Sequence, residues 1–514
     1  GSLALIAIII LSNIVKKSSK SLSSKGGKSA PVVHGAWPVI GHLHLLMGKE
    51  LPHHALAKLA DKYGPAFTLN IGAYQELVIS TRDLAKECFT TKDKFFLNRP
   101  SNKAMKILTY GEASVGFAPY SPLWVEMRKV TKSNLLSHQR VLMQNRSRAS
   151  EIDASFKQLY EQCNGKSGAS VEMKNWFEEV MLNVVTRNVS GKRSFGTKAR
   201  LGDAEAVKYK RVIDETARFM GNLVISDMVP SLWWLDNMLG AESAMKKLAI
   251  ELDSLLGGWV EEHRGKKLSD DEEGDFISLT WEMIDQIQLH GLAPETFIKS
   301  MCVGVLLGGS DTTSVALTWA LSLMLNNREV LKKAQEELDF HVGKDRKVDD
   351  SDLKNLVYLQ AIMKETMRIY QVGPLIEREA VEDCEVGGFQ IKKGNRILVN
   401  LWKLQRDPEV WSDPSEFRPE RFLEDKSKVD LKGQNAELMP FGSGRRMCPG
   451  VWFGVHSTSL VLARLIQGFE IETPLDAKVD MTETSSVTNY KGSPLEVIAR
   501  LPGSNLSFMI CSYV

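Results

Sequence analysis

Six cysteines are scattered through the 514 residues, and no two of them form a CxxC pair. One, Cys448, lies in the stretch PFGSGRRMCPG, from Pro440 to Gly450. Glycines surround it, and Arg445 and Arg446 stand just before it. Positive charge and backbone N–H groups stabilise a thiolate. A helical stretch begins directly afterwards, Val451 to Glu470, so the positive end of a helix dipole falls near the sulfur. The loop reads as one that keeps Cys448 ionised. A thiolate can hold haem iron, and its electron push favours O–O cleavage. Glycines let the backbone approach a flat macrocycle, and Arg446 is placed to meet a haem propionate. The competing reading is a buried structural cysteine near a turn.

A second group lies in a long apolar segment, Glu295 to Leu325. Gly308-Gly309-Ser310-Asp311-Thr312-Thr313 interrupts it. Each glycine costs about 1 kcal/mol relative to alanine in a helix. Thr312 can bond a carbonyl one turn back, so a local distortion with room for a small ligand is expected. An acid beside an alcohol suits proton relay to bound dioxygen. The segment is too apolar for a surface helix and reads as a buried central one. A membrane span is the alternative, and the polar residues in its middle argue against it. Three further groups are unremarkable singly. Glu365 and Arg368 are i, i+3 on one helix face. Arg421 lies in FRPERF, Phe417 to Phe422, and Trp124 and Arg128 are i, i+4.

The elements around these groups are mostly helical. Apolar periodicity marks Leu84–Phe89, Trp124–Leu136, Ala149–Gln162, Trp176–Val189, Val207–Asp227, Ala241–Arg264, Glu329–Val342 and Leu356–Tyr370. Gln75 to Ser80 reads as a strand, and Gly387 to Asn400 as a hairpin turning at Lys393-Gly394-Asn395. The expected class is mainly α with small β-sheets. Hydrophobic residues make up 43% and charged residues 25%, which allows a sizeable core. The net charge of +2 points to no nucleic-acid partner.

Near the start, residues 1–15 include the apolar run Leu3 to Val15, which is followed by Lys16, Lys17, Lys20, Lys25 and Lys28. Charge after the run favours a membrane anchor with the following chain in the cytosol over a cleaved signal peptide. Residues 16–43 read as a basic linker and proline-rich hinge, and 44–514 as one catalytic domain.

The five groups occur in one order: W-x-x-x-R, G-G-x-D-T-T, E-x-x-R, P-E-R-F and F-x-x-G-x-R-x-C-x-G. In that order and spacing the chain resembles a cytochrome P450 over essentially its whole length. Three runs resemble the plant family numbered eighty-two: LWVEMRKVTKSNLLS (Leu123 to Ser137), NLVYLQAIMKET (Asn355 to Thr366) and VWSDPSEFRPERF (Val410 to Phe422). Members of that family oxidise alkaloids, flavonoids, coumarins, lignans and terpenoids.

The resemblance implies the P450 fold and haem b, with Cys448 as the axial iron ligand beside Phe441. It implies that Thr312 and Asp311 serve oxygen activation, and that Glu365, Arg368 and Arg421 form a structural triad. Trp124, Arg128, Arg378 and Arg446 would contact the haem propionates. Electrons would come from NADPH through NADPH–cytochrome P450 reductase at the endoplasmic-reticulum membrane, with Arg445 and its basic neighbours facing that partner. The reaction would be monooxygenation of a small-molecule substrate by O2. The intact Asp311–Thr312 pair disfavours a haem-thiolate isomerase or dehydratase, and a haem sensor is a third reading. Phe117, Leu306, Gly309, Leu375, Glu377 and Val487 are the implied pocket residues. The family often has prolines after the tyrosine of this region and before its arginine. Here Gln371 and Glu377 take those places. A carboxylate at 377 could pair with a protonated amine, which suggests an alkaloid, best a benzylisoquinoline. The competing reading pairs Glu377 with Arg378 or another cation.

Overall fold

The computed structural model describes residues 28–193, 203–266, 268, 273–484 and 488–502. The apolar run expected to be an anchor lies outside the described residues, as do most of the lysine-rich linker and Val487. The described part of the hinge runs along the first strand. Thr68 N–H donates to Pro31 O at 2.8 Å and Val33 N–H to Thr68 O at 3.1 Å.

Helices dominate. The longer ones are α1 (Pro52–Tyr63), α2 (Pro122–Thr131), α3 (Asn145–Cys163), α4 (Met173–Ser190), α5 (Asp203–Gly221), α6 (Ala241–His263), α7 (Pro294–Asn326), α8 (Arg328–His341), α9 (Val357–Ile369) and α10 (Val451–Gly468). Short strands complete the fold: β1 (Ala66–Ile71), β2 (Tyr74–Ile79), β3 (Ala169–Glu172), β4 (Leu375–Glu379), β5 (Cys384–Val386), β6 (Phe389–Ile391), β7 (Arg396–Asn400), β8 (Glu470–Glu472) and β9 (Glu496–Arg500). They form sheets ordered β1-β2-β7-β4, β3-β9-β8 and β5-β6.

Local chemistry sets the helix ends that matter here. Ser121 caps α2, its hydroxyl accepting from Trp124 N–H, with Pro122 in the first turn. Pro294 likewise opens α7. That helix is apolar nearly all round, and a helix of that kind must be buried. It packs against α4, α6, α9 and α10 at the centre of the largest apolar core. Pro294–Asn326 is long and apolar enough to cross a membrane, yet most of it is buried in protein, as a core helix requires.

Two expectations change. The stretch 387–400 is not one hairpin. Gly387 and Gly388 have φ of 56° and 80° and turn β5 back onto β6. β7 then leaves to pair in parallel with β2 and antiparallel with β4. The second change is in α7, which runs unbroken through Gly308–Thr313. Its hydroxyls fold back onto its own carbonyls: Ser310 to Leu306, Thr312 to Gly308 and Thr313 to Gly309, each at 2.6 Å.

A buried ionic triad fastens α9 to the segment before the cysteine loop. Glu365 Oε1 accepts from Arg421 Nε at 3.0 Å, from Arg368 Nη2 at 2.8 Å and from Arg418 N–H at 3.0 Å. Its Oε2 accepts from Arg368 Nε at 2.7 Å. All three side chains are fully buried, and both guanidinium groups also donate to loop carbonyls, including Pro414 O and Ser412 O. Removing one partner would strand a buried charge, a loss of about 3–5 kcal/mol. Glu365→Gln should therefore lower the urea midpoint of the haem-loaded protein substantially. An unchanged midpoint would show that the triad is dispensable.

Candidate active site

The cysteine loop is shaped by two glycines with left-handed backbone. Gly442 has φ +69° and Gly444 +72°. A Cβ at 444 would lie 2.3 Å from Asp93 Oδ1 and 2.6 Å from Phe89 O, so that position admits no side chain. The loop closes through Cys448 N–H donating to Phe441 O at 2.9 Å. The Phe441 ring lies over Gly454 in the first turn of α10.

Cys448 is exposed, yet burial is the largest influence on its thiol and pushes it up. Gly450 N–H donates to Sγ at 3.4 Å, and Arg128 and Arg99 also favour the thiolate. These influences do not outweigh burial. Burial therefore opposes the thiolate that Gly450, Arg128 and Arg99 favour. A coordinating metal deprotonates a thiol outright. Arg445 is not a stabiliser of the sulfur: it faces outward and is paired with Asp93 at 3.1 Å. Its outer face belongs to a depression of about 520 Å³ that also includes Lys432 and Met447.

Four guanidinium groups converge beside the cysteine. Arg446 donates through Nε to Leu97 O and through Nη2 to Ala118 O, both at 2.6 Å. Arg128 Nη2 donates to Met447 O at 2.6 Å, and Arg378 Nη1 to Glu377 O at 2.8 Å. The fourth, Arg99, was not singled out from sequence, where its only mark is a position before Pro100 in an irregular stretch. Burial, followed by mutual repulsion, lowers the pKa of Arg378 and Arg446, the latter to about 9. Arg99 Nε and Arg446 Nη1 are buried with no hydrogen-bond partner. Trp124 supports the cluster as a platform. Arg446 lies 4.1 Å and Arg128 5.4 Å from its ring centroid. Its indole N–H already donates to Val115 O at 3.0 Å, so it is not a free donor for a propionate.

Excess buried cation with orphaned donors requires an anion. Beside an accessible cysteine at a helix start, these residues fit a dianionic haem: sulfur for the iron, guanidinium groups for the carboxylates.

Opposite elements supply the other wall. A Cβ at Gly309 would meet Val185 of α4 at 2.9 Å and Phe453 of α10 at 3.6 Å, so Gly309 serves close packing rather than the pocket. Gly308 instead faces open space, and Thr312 lies one turn along the same face. Leu306 is fully buried in the core, while Phe117 and Leu375 are partly exposed. Asp311 is turned elsewhere. Its Oδ1 accepts from Tyr490 O–H at 2.6 Å and its Oδ2 from Thr488 Oγ1 at 3.0 Å. Burial raises its pKa, and these two bonds oppose the shift.

Glu377 lies on β4 with Arg396 Nη1 at 3.4 Å, and Arg396 also approaches Glu76 at 3.7 Å. Both carboxyl groups are shifted upward, primarily by burial. Glu377 is thus paired with another cation, Arg396, rather than left free for a substrate amine.

The cytochrome P450 family profile matches residues 31–496. The chain belongs to the cytochrome P450 family. It is 49% identical over 500 residues to protopine 6-monooxygenase of Eschscholzia californica, covering 96% of this chain and 95% of that one. It is 47% identical to methyltetrahydroprotoberberine 14-monooxygenase of Papaver somniferum, covering 97% and 95%. Among solved structures, a zebrafish cytochrome P450 with progesterone superposes with a TM-score of 0.75 at 26% identity, covering 88% of this chain and all (100%) of the other. The P450 is thus a haem-thiolate monooxygenase that takes NADPH electrons through a reductase and uses O2. Within it, Arg99 fills the cationic cradle. Arg99→Ala should lower haem bound per chain several-fold, measured by pyridine haemochrome. Full occupancy would remove Arg99 from the cradle.

Proposed function

We propose that this P450 oxidises a benzylisoquinoline-type alkaloid at the endoplasmic-reticulum membrane, with its catalytic domain facing the cytosol. The observation that carries the substrate class is the identity of 47–49%, over nearly the whole chain, to enzymes named for protopine and methyltetrahydroprotoberberine. The lysines that follow the apolar run at the start of the sequence support the membrane assignment.

The residues divide the work. Cys448 offers sulfur at the start of α10, and Arg99, Arg128, Arg378 and Arg446 hold carboxylates and fix the orientation of a bound haem. Haem supplies the dioxygen chemistry, in which one oxygen atom enters the substrate and the other leaves as water. Thr312 presents a hydroxyl from the open face of α7. Its proton is currently given to Gly308 O, so relay from Thr312 requires that bond to exchange. Asp311 holds the proton-exchanging carboxyl one residue away; Tyr490 and Thr488 fix its position and oppose the upward push of burial on its pKa.

Reconstitution with a plant NADPH–cytochrome P450 reductase tests the substrate reading. A benzylisoquinoline alkaloid should give NADPH-dependent product containing one atom from labelled O2. Turnover confined to flavonoids, coumarins, lignans or terpenoids would replace the alkaloid class. Rearrangement without NADPH would overturn monooxygenation.

A pH profile tests the role of Asp311. Tyr490 lowers the Asp311 pKa by donating to it, so removing the phenol should raise that pKa. Tyr490→Phe should move the acidic limb of the kcat profile to higher pH. A limb that stays in place while only the maximum falls would show that Asp311 does not set it.

A further inference from the structure

A second cluster of metal-ligating groups lies outside the haem site. His53 and His54 occupy the first turn of α1, and Glu483 comes from the loop before β9. His54 Nε2 is 3.2 Å and His53 Nε2 3.7 Å from the same oxygen, Glu483 Oε2. One ligand atom from each residue falls within 4.8 Å of the others. His53 is only 3% exposed. Both Nε2 atoms are buried, and neither makes a hydrogen bond. The other carboxylate oxygen accepts from Asn489 Nδ2 at 2.5 Å, and Trp402 packs edge-on against the His54 ring with centroids 4.4 Å apart.

We propose that His53 Nε2, His54 Nε2 and Glu483 Oε2 form a Zn²⁺ site, with water as the fourth ligand. Two imidazoles and one carboxylate are a zinc donor set. Tetrahedral zinc with bonds of about 2.0–2.2 Å has ligand–ligand edges of about 3.4 Å. The observed separations of 3.2 and 3.7 Å bracket that length. Both Nε2 atoms lie near one carboxylate oxygen with no hydrogen-bond partner, and a cation among the three would satisfy them all. Arg406 is a competing cation that interacts with Glu483. It stacks on Trp402 at 4.3 Å and donates to Trp402 O and Ile369 O.

The site has a mechanical consequence. It ties α1 to the segment that carries Thr488, Asn489 and Tyr490. Asn489 O accepts from Trp319 Nε1 of α7 at 2.7 Å, and Asn489 N–H donates to Val372 O at 2.8 Å. Thr488 and Tyr490 hold Asp311. Zinc at one end of this segment would therefore stiffen the support of the acid at the other.

The test uses the haem-loaded full chain, stripped with chelator and titrated with Zn²⁺ alone in equilibrium dialysis with elemental analysis. Wild type should bind one equivalent that His54→Gln and Glu483→Gln each weaken at least tenfold. Zn²⁺ should also slow carbethoxylation of wild-type His54 at least fivefold, read by peptide mass spectrometry. This second readout needs no variant and decides the matter if a variant fails to fold. Equal zinc affinity in wild type and both variants, or unprotected His54 at saturating Zn²⁺, would overturn the proposal.

Discussion

Mutual repulsion among Arg99, Arg128, Arg378 and Arg446 is the constraint around which this molecule is arranged. Their neighbouring carboxylates are few: Asp93 is paired with Arg445, and Glu377 with Arg396. Loop carbonyls absorb part of the donor capacity, and Trp124 offers its ring face. What remains is buried positive charge with orphaned N–H groups. Such an arrangement is unfavourable until an anion enters, because a buried charge needs a partner. The fold therefore makes haem part of its own stability, not only of its chemistry.

The thiol obeys the same electrostatics from the other side. Burial holds Cys448 toward its neutral form, while Arg99 and Arg128 pull toward the thiolate. A metal cation at sulfur would add its pull toward the thiolate to theirs. On α7 the division of labour is equally physical. Gly309 allows the helix to press against α4 and α10, Gly308 leaves space, and Thr312 shares the open face. Asp311 points toward the C-terminal segment, where Tyr490 and Thr488 donate to it against the upward push of burial.

Much of this was legible in the residues, for reasons that differ by element. Long helices such as α6, α7 and α9 announce themselves because burial of one face, or of all faces, imposes a period. The Glu365–Arg368 pair is visible as i, i+3, but Arg421 enters it from a proline-broken loop that no local pattern connects to α9. Arg99 is invisible for the same reason: it sits in an irregular stretch and acquires meaning only through three distant arginines. The 387–400 stretch misleads because two turns lie close together. Local alternation cannot reveal that β7 pairs with β2, a partner over three hundred residues earlier. The Asp311–Tyr490 contact spans 179 positions and has no sequence signature.

The central claim is that Cys448 and the arginine cradle hold haem by a thiolate bond. The dithionite-reduced, carbon monoxide difference spectrum of the purified protein tests it most directly, recorded beside Cys448→Ala. The account predicts a thiolate-type Soret band in the wild type that is lost in the variant. A well-folded wild-type protein with no such band, or a variant that retains it, would contradict the account and return Cys448 to a structural role.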